Sequence, residues 1–474
     1  MAHLSLVKRT HRSDKLKAAI GLTVVLSFFF TNLCQAKTRH YYVAAEDVMW
    51  DYAPSGLDLM HDHGVPQPWA KQTKWAKTRY IEYTDPTFTL RKPQPDWLGI
   101  LGPIIRAEVG DTVIVDFLNR SSKAHSIHPH GLRYDKANEG SFYLPAGGPG
   151  ARVPPGERFT YHWVADEGSG PAAGDSSSVV WFYHSHVDDP TEINAGLLGP
   201  IVITAKGKAN PDGTPKGVDR EFVVLFMIFD QLGGKNEGLF HSMNGYIFGN
   251  LPGLTMKQGE HVRWYLLGMG NERDLHTAHW HGKTVTYQSR RTDDVELLPG
   301  SMATADMVAD NPGTWMFHCH VSDHMESGMM ATYTIYQPNH CSSPLELMSG
   351  RFWQTDEYSV TVKNASSRAI KGIRLDFDYL MGSQVRRRPF NHEWSLPIDI
   401  APGQKKTVSM PAPGSKIEDG VSAWVLYPEA VQFPKGADWR PKPEGECFKI
   451  FWRDEEHPEM PVLPPLQMEI GNED

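Results

Sequence analysis

The stretch "MFHCHVSDHMESGMM", residues 316–330, decides how the chain is read. It sets His318, Cys319 and His320 in a row and follows them with His324 and Met329. Along a β-strand successive side chains point to opposite faces. His318 and His320 therefore look one way and Cys319 the other. One short strand can then touch two metal centres, with Cys319 as the covalent bridge, if the rest of the chain supplies the other ligands.

Two longer stretches repeat one another. The first runs "GPIIRAEVGDTVIVDFLN", "HSIHPHG", "VPPGERFTYHW", "WFYHSHVDDP"; the second runs "LPGLTMKQGEHVRWYLLG", "HTAHWHG", "LLPGSMATADMV", "WMFHCHVSDH". Order and alternating hydrophobicity recur, which predicts a duplicated antiparallel β-domain. Neither copy carries a sustained helical apolar period. The boundary falls in the polar Gly/Pro linker "AKGKANPDGTPKGVD", around residues 205–219. Beyond residue 341 there is no histidine cluster. "YSVTVKN", "IRLDFDYL", "WSLPIDI", "KKTVSMP", "VSAWVLYP" and "CFKIFWR" read as six short strands of a third, loosely immunoglobulin-like β-sandwich. The acidic, proline-rich ending reads as a loose or surface-hugging tail.

Bulk properties bound the function. The chain has 474 residues, enough for several domains, with 40% hydrophobic and 22% charged residues, an ordinary globular balance. A net charge of −9 argues against nucleic-acid partners, which want a basic face. The basic opening "MAHLSLVKRTHRSDKLK" precedes the apolar run "AAIGLTVVLSFFFTNL", too short for a comfortable membrane span. With "CQA" next, this reads as a secretory signal peptide cut after Ala36, leaving no stable membrane span and a secreted or periplasmic protein; an uncleaved anchor is the alternative. The division is then 1–36 signal peptide, 37–206 first repeat, 207–340 second repeat and 341–474 C-terminal domain. Loss of Cys34 leaves three cysteines. In an oxidising compartment a Cys341–Cys447 disulfide would leave Cys319 for metal, although two unpaired thiols also fit. "NRS" at Asn119 and "NAS" at Asn364 are glycosylation acceptors where the host modifies them.

The histidine spacings sort by face. An offset of two keeps a strand face and an offset of three changes it. His128 with His130, His184 with His186, His279 with His281, and His318 with His320 each share a face. Eight imidazoles are too many for one ion and suit copper. His276, three before His279, turns to the side of Cys319. His276, Cys319, His324 and a weak axial Met329 make a blue-copper electron-transfer set. The first repeat keeps His125 but has Ser185 and Pro190 where Cys319 and His324 stand, so it should hold no mononuclear copper. Met302, Met307, Met316, Met325 and Met330 read as core filling.

These motifs resemble the multicopper oxidases. "HYYVAAEDVMWDY", "WLGILGPIIRAEVGDTV", "DREFVVLF", "MNGYIFGNLPGLTM" and "GMGNERDLHTAHWHG" are most similar to the ceruloplasmin and hephaestin group, over about residues 39–338. The resemblance implies an all-β chain of two tandem cupredoxin domains (Greek-key barrels or sandwiches), joined here to the C-terminal sandwich. It implies four copper ions per functional unit. His276, Cys319, His324 and Met329 resemble the type 1 ligands. His128 and His279 resemble the type 2 ligands, and His130, His184, His186, His281, His318 and His320 the type 3 ligands. Electrons would enter at the type 1 site and pass through Cys319 to His318 or His320, and dioxygen would become water at the three-ion cluster. Glu139 is a candidate proton relay, with a solvated loop glutamate as the plain alternative.

For substrate, Asp323, Glu272 and His241 match the ferroxidase pattern beside the type 1 site. One glutamate is displaced, because Asn236 occupies its place and Glu237 lies one residue on. Fe(II) is the expected reductant, with laccase-like phenol or amine oxidation and Cu(I) oxidation as alternatives. A ring of six such domains in ceruloplasmin implies a homotrimer with clusters shared between subunits, or else an intrachain cluster in a monomer. Copper nitrite reductases lack the His-Cys-His arrangement with paired histidines on both repeats. Blood coagulation factors share the "YYVAAEDVMWDY"-like opening as binding scaffolds without the ligands, all of which are present here.

Overall fold

The protein is described by a computed structural model that covers residues 36–61, 63–144, 147–336, 343–351, 357–381, 384–386, 394–411, 421–434 and 449–452. The expected signal peptide, the expected Cys341–Cys447 pairing and the expected tail lie outside the described residues.

Alternating burial builds the strands. In Thr112–Asn119 the side chains of Val113, Val115 and Phe117 are buried, and in Arg158–Val164 those of Tyr161 and Trp163. That is the period of two expected when one sheet face meets the core. In the first repeat one sheet has the spatial order Lys74–Tyr83, Thr38–Asp51, Thr112–Asn119, Arg158–Val164. The other has the order Ile105–Glu108, Leu198–Thr204, Ser178–His184, His128–Pro129. The second repeat has a six-stranded sheet, Leu239–Met243, Arg220–Asp230, His261–Gly268, Ser301–Val308, Val285–Tyr287, Arg290–Thr292. Its partner runs Thr255–Lys257, Met330–Tyr336, Gly313–Cys319, His276–Trp280, Asp294–Leu297.

The sheets are not purely antiparallel. Thr38–Asp51 runs parallel to Thr112–Asn119, and Ile105–Glu108 parallel to Leu198–Thr204. The second repeat has the same two parallel pairings, Arg220–Asp230 with His261–Gly268 and Thr255–Lys257 with Met330–Tyr336. Chain crossovers between the two sheets bring sequence-distant strands side by side, which local alternation does not reveal. Two short helices also appear, Asp189–Ala195 and Ser322–Glu326, at matching places after the two His-x-His motifs. Seven and five residues are too few to display a helical period.

One continuous core links the repeats. Trp50, Tyr52, Trp97, Leu98, Ile100 and Phe182 from the first pack with the core of the second. Asn244 closes this junction. Its Nδ2 donates to Trp97 O at 2.6 Å and Val223 O at 2.8 Å, and its Oδ1 accepts from Leu225 N at 2.6 Å. Its own carbonyl accepts from Ile100 N. Gly99 lies against it with φ +57, where a Cβ would sit 2.2 Å from Asn244 O.

The C-terminal region forms two sheets. One is Leu345–Arg351, Glu357–Asn364, Lys405–Pro411; the other is Gln384–Arg386, Ile370–Met381, Val421–Gln432, Lys449–Trp452, with Trp394–Ile400 also pairing with Ile370–Met381. All six expected strands are present, and Leu345–Arg351 and Gln384–Arg386 add to them. The two glycosylation sequences are turn-locks instead. Asn119 and Asn364 are fully buried. Asn119 Nδ2 donates to Lys123 O and Val153 O; Asn364 Nδ2 donates to Arg368 O and Ile400 O. An amide committed to two carbonyls inside the fold is closed to a sugar.

Replacing Asn244 with Ala leaves three buried backbone groups without partners, at about 1–3 kcal/mol each. Urea unfolding of Asn244→Ala is expected to show a loss on the order of 3–9 kcal/mol. A loss within a few tenths of a kcal/mol of wild type would contradict this account of the junction.

Candidate metal centres

Strand register assembles the first centre. His276–Trp280 pairs antiparallel with Gly313–Cys319, placing Ala278 opposite Cys319 and His279 opposite His318. Paired residues share a face, so His276, two from Ala278, joins Cys319. His324 arrives on the helix Ser322–Glu326. The Cys319 Sγ lies 3.8 Å from His276 Nδ1 and 3.8 Å from His324 Nδ1, and the two Nδ1 atoms are 3.2 Å apart. All three side chains are buried, and so is Met329. Met329 O accepts from Cys319 N, and Met329 N donates to His324 O, so the loop folds back on the site.

The buried Asp274 is a residue that spacing alone did not single out. Its Oδ1 lies 3.2 Å from His276 Nε2 and also accepts from Ile228 N. A carboxylate accepts, so Nε2 carries the proton and Nδ1 keeps its lone pair toward Cys319 and His324. Burial raises the Cys319 thiol above its ordinary pKa and lowers His324. An apolar site that disfavours a free thiolate but holds two neutral imidazoles fits a cation that stabilises the thiolate.

The other eight histidines form two matching halves. In the first, His130 Nε2 and His184 Nε2 are 3.0 Å apart; in the second, His281 Nε2 and His318 Nε2 are 3.1 Å apart. His128 Nδ1 donates to Glu139 O at 2.7 Å, and His279 Nδ1 donates to Asp293 O at 2.9 Å. His184 Nδ1 donates to Ser185 O and His318 Nδ1 to Cys319 O. Main-chain carbonyls thus hold the protons on Nδ1 and leave the Nε2 lone pairs free for metal. His186 and His320 pack their rings against His128 and His279 at 5.2 and 5.0 Å. Desolvation pushes His130 and His318 down to about 4, so both stay neutral donors at ordinary pH. Among the described residues every histidine ring contact of the two sets lies within one half.

The first repeat has closed its mononuclear position. His125 Nδ1 meets Glu192 Oε1 at 2.7 Å inside the core. Burial alone would raise the Glu192 carboxyl, but hydrogen bonds from His125 and Ser185 outweigh it and leave it below its ordinary pKa. Pro190 sits in the first turn of the helix Asp189–Ala195, a position that costs proline nothing.

Of the substrate candidates, His241 and Asp323 lie beside the first centre. Asp323, Glu272 and Glu237 are exposed, and the His241 ring is 5.1 Å from that of His324. Burial takes His241 down to about 4, and its Nδ1 is buried without a partner. The Glu139 carboxylate bonds Lys136 and Tyr143; its carbonyl, not its acid, touches His128. Met307 and Met330 are buried in the core, and Met302 packs against it.

Two family models described as multicopper oxidase match residues 99–208 and 227–339. Rat hephaestin is 37% identical over 371 residues, covering 68% of this chain and 32% of its own length. Human Ferroxidase HEPHL1 is 36% identical over 69% of this chain and 32% of its own, and human ceruloplasmin 36% identical over 68% and 34%. The chain belongs to the multicopper oxidase family and spans about a third of the length of these relatives.

Replacing Cys319 with Ser removes the only sulfur anion of the first centre. The copper-loaded variant is expected to lose the absorption near about 600 nm that a Cu(II)–thiolate bond produces. It should hold one copper fewer per chain while keeping its far-ultraviolet circular dichroism. A band that survives the substitution would show that Cys319 is not its source.

Proposed function

We infer that the chain is a copper-dependent oxidase that couples one-electron oxidation of Fe(II) to reduction of dioxygen, four Fe(II), one dioxygen and four protons giving four Fe(III) and two waters. The observation that carries this reading is the covalent continuity of Cys319 with His318 and His320, which ties the Cys-His-His-Met set to the second histidine half. In this reading residues 37–206 and 207–340 are the two cupredoxin domains, 341–474 is the C-terminal β-sandwich, and the first 36 residues are a signal peptide. A secreted or periplasmic location follows. No described helix is long and apolar enough to cross a membrane.

His276, Cys319, His324 and Met329 would hold one copper, and His128, His130, His184, His186, His279, His281, His318 and His320 the other three. Bound copper supplies the one-electron redox chemistry and the binding of dioxygen. The chain's own residues do the rest. Asp274 orients His276, the carbonyls of Glu139 and Asp293 orient His128 and His279, and burial keeps water from the sulfur. Exposed Asp323, Glu272 and Glu237 offer hard oxygens to an incoming hydrated Fe(II), and carboxylates bind the ferric product more strongly than the ferrous substrate. Phenol or amine oxidation and Cu(I) oxidation are the alternative reductant readings, and a binding scaffold is the non-enzymatic one.

Each histidine half carries four imidazoles and lacks the other four, which supports sharing of the cluster between chains. An open concavity of about 570 Å³ beside His279 and His281 could receive the neighbour. The first half is flanked by the exposed side chains of Phe142, Tyr143 and Leu144. A homotrimer closes such head-to-tail contacts into a ring.

Asp323→Ala and Glu272→Ala should each raise KM for Fe(II) about tenfold while leaving the kinetics of a bulky phenol near wild type. Unchanged iron kinetics would remove the ferroxidase assignment. Light scattering should give three chains per particle in the copper-loaded protein. A monomer that carries the full copper complement would replace the trimer with an intrachain cluster.

A further inference from the structure

A third group of metal-ligating side chains lies apart from all these histidines. The two-stranded hairpin of Leu57–Asp58 and His63–Gly64 pairs Asp58 directly with His63. The Asp58 side chain is 3% exposed, while those of His61 and His63 are 60% and 55% exposed. One carboxylate oxygen, Oδ2, lies 3.0 Å from His61 Nδ1 and 3.8 Å from His63 Nε2. The other, Oδ1, accepts from Met60 N at 2.9 Å, which fixes the carboxylate plane. The two imidazoles stack with centroids 5.8 Å apart and planes 13° from parallel.

A plain turn explains part of this. Asp58 bonding to the backbone two residues on is an Asx-turn, and one imidazole proton can satisfy Oδ2. It does not explain His63. The Nδ1 of His63 is 2.8 Å from Gly64 O, and a carbonyl only accepts, so that nitrogen carries the proton. In the neutral ring the lone pair of Nε2 then faces the carboxylate oxygen. Two acceptors facing one another at 3.8 Å call for a cation between them. Around a tetrahedral ion with bonds of about 2.0–2.1 Å, neighbouring donor atoms are about 3.3 Å apart. The observed 3.0 and 3.8 Å bracket that separation. All three donor atoms lie within 4.8 Å of one another.

We propose that Asp58, His61 and His63 bind a divalent transition-metal ion of the zinc and copper class, at a site separate from the multicopper centres. Two imidazoles and one carboxylate suit such an ion and not calcium or magnesium, which take oxygen ligands. Exposure of both rings leaves the remaining positions to water, so the ion exchanges with solvent. The hairpin also bears on the Met329 loop. Leu59 N donates to Phe248 O, Phe248 N to Gly328 O, and Gly249 N to Met330 O. Gly249, at φ +75, makes room for this docking, because a Cβ there would lie 2.9 Å from Met60 Sδ. The ion therefore clamps a hairpin whose backbone contacts lead to both neighbours of Met329.

The site does not depend on the ferroxidase reading, and its test needs no turnover. The copper-loaded, tag-free full chain is titrated with Zn²⁺ by calorimetry, and in parallel with Co²⁺ while visible absorption is recorded. Wild type should take up one further Zn²⁺ per chain and develop a Co²⁺ ligand-field band. His61→Ala/His63→Ala, changed only at exposed rings, should lose roughly tenfold or more in Zn²⁺ affinity with its blue absorption unaltered. Asp58→Asn should behave likewise. No further Zn²⁺ uptake by wild type would mean that a proton, not a metal, bridges His63 and Asp58, and would overturn the proposal. Equal uptake by wild type and the double variant would overturn it as well.

Discussion

The register between His276–Trp280 and Gly313–Cys319 is the constraint on which the centres depend. With Ala278 opposite Cys319, the thiol and His276 fall on the core face, and His279 and His318 fall on the other. A slip of Gly313–Cys319 by one residue would send Cys319 and His318 to the wrong faces. The pairing is held by a dense apolar setting: Phe317 packs against Trp280, Trp264 and Phe226. The packing that stabilises the sheet is therefore the same packing that positions the donors.

The two repeats solve one problem with the same parts. Main-chain carbonyls at Glu139 and Asp293 hold His128 and His279, and the carbonyls of Ser185 and Cys319 hold His184 and His318. Apart from an Asp189 carboxylate that meets His184 Nδ1 at 2.8 Å in the first half, the main divergence is on the core face. There the second repeat has sulfur and two imidazoles, and the first has a buried His125–Glu192 pair with Ser185 bonded to Ser126. A hydrogen-bonded His125–Glu192 pair fills the volume without a metal, with His125 Nε2 buried and unpartnered. The C-terminal region reuses another part of the design, since the Asn364 turn copies the Asn119 turn bond for bond.

Much of this was legible in the chain. Strand parity follows from covalent geometry, so the facing of His318, Cys319 and His320 needed no coordinates. The Ser185 and Pro190 replacements likewise told that the first repeat lacks a thiolate site. The short helix under His324 was hidden because five residues show no period. The parallel pairings were hidden because they join strands distant in sequence. Asp58, His61 and His63 went unnoticed, although their spacing on a tight hairpin is a usable signal once the turn is known.

The donor types, their faces and the duplication follow from residue order alone, because alternation along a strand is a local property of the backbone. Packing settled the tautomers of His128, His184, His276, His279 and His318, the orientation of His276 by Asp274, and the burial of the acceptor sequences at Asn119 and Asn364 as locks. Among the described residues the histidine ring contacts of the two sets fall within each half. These outcomes depend on groups far apart along the chain meeting in a low-dielectric interior, where an unpaired polar atom is costly and its partner is chosen by packing.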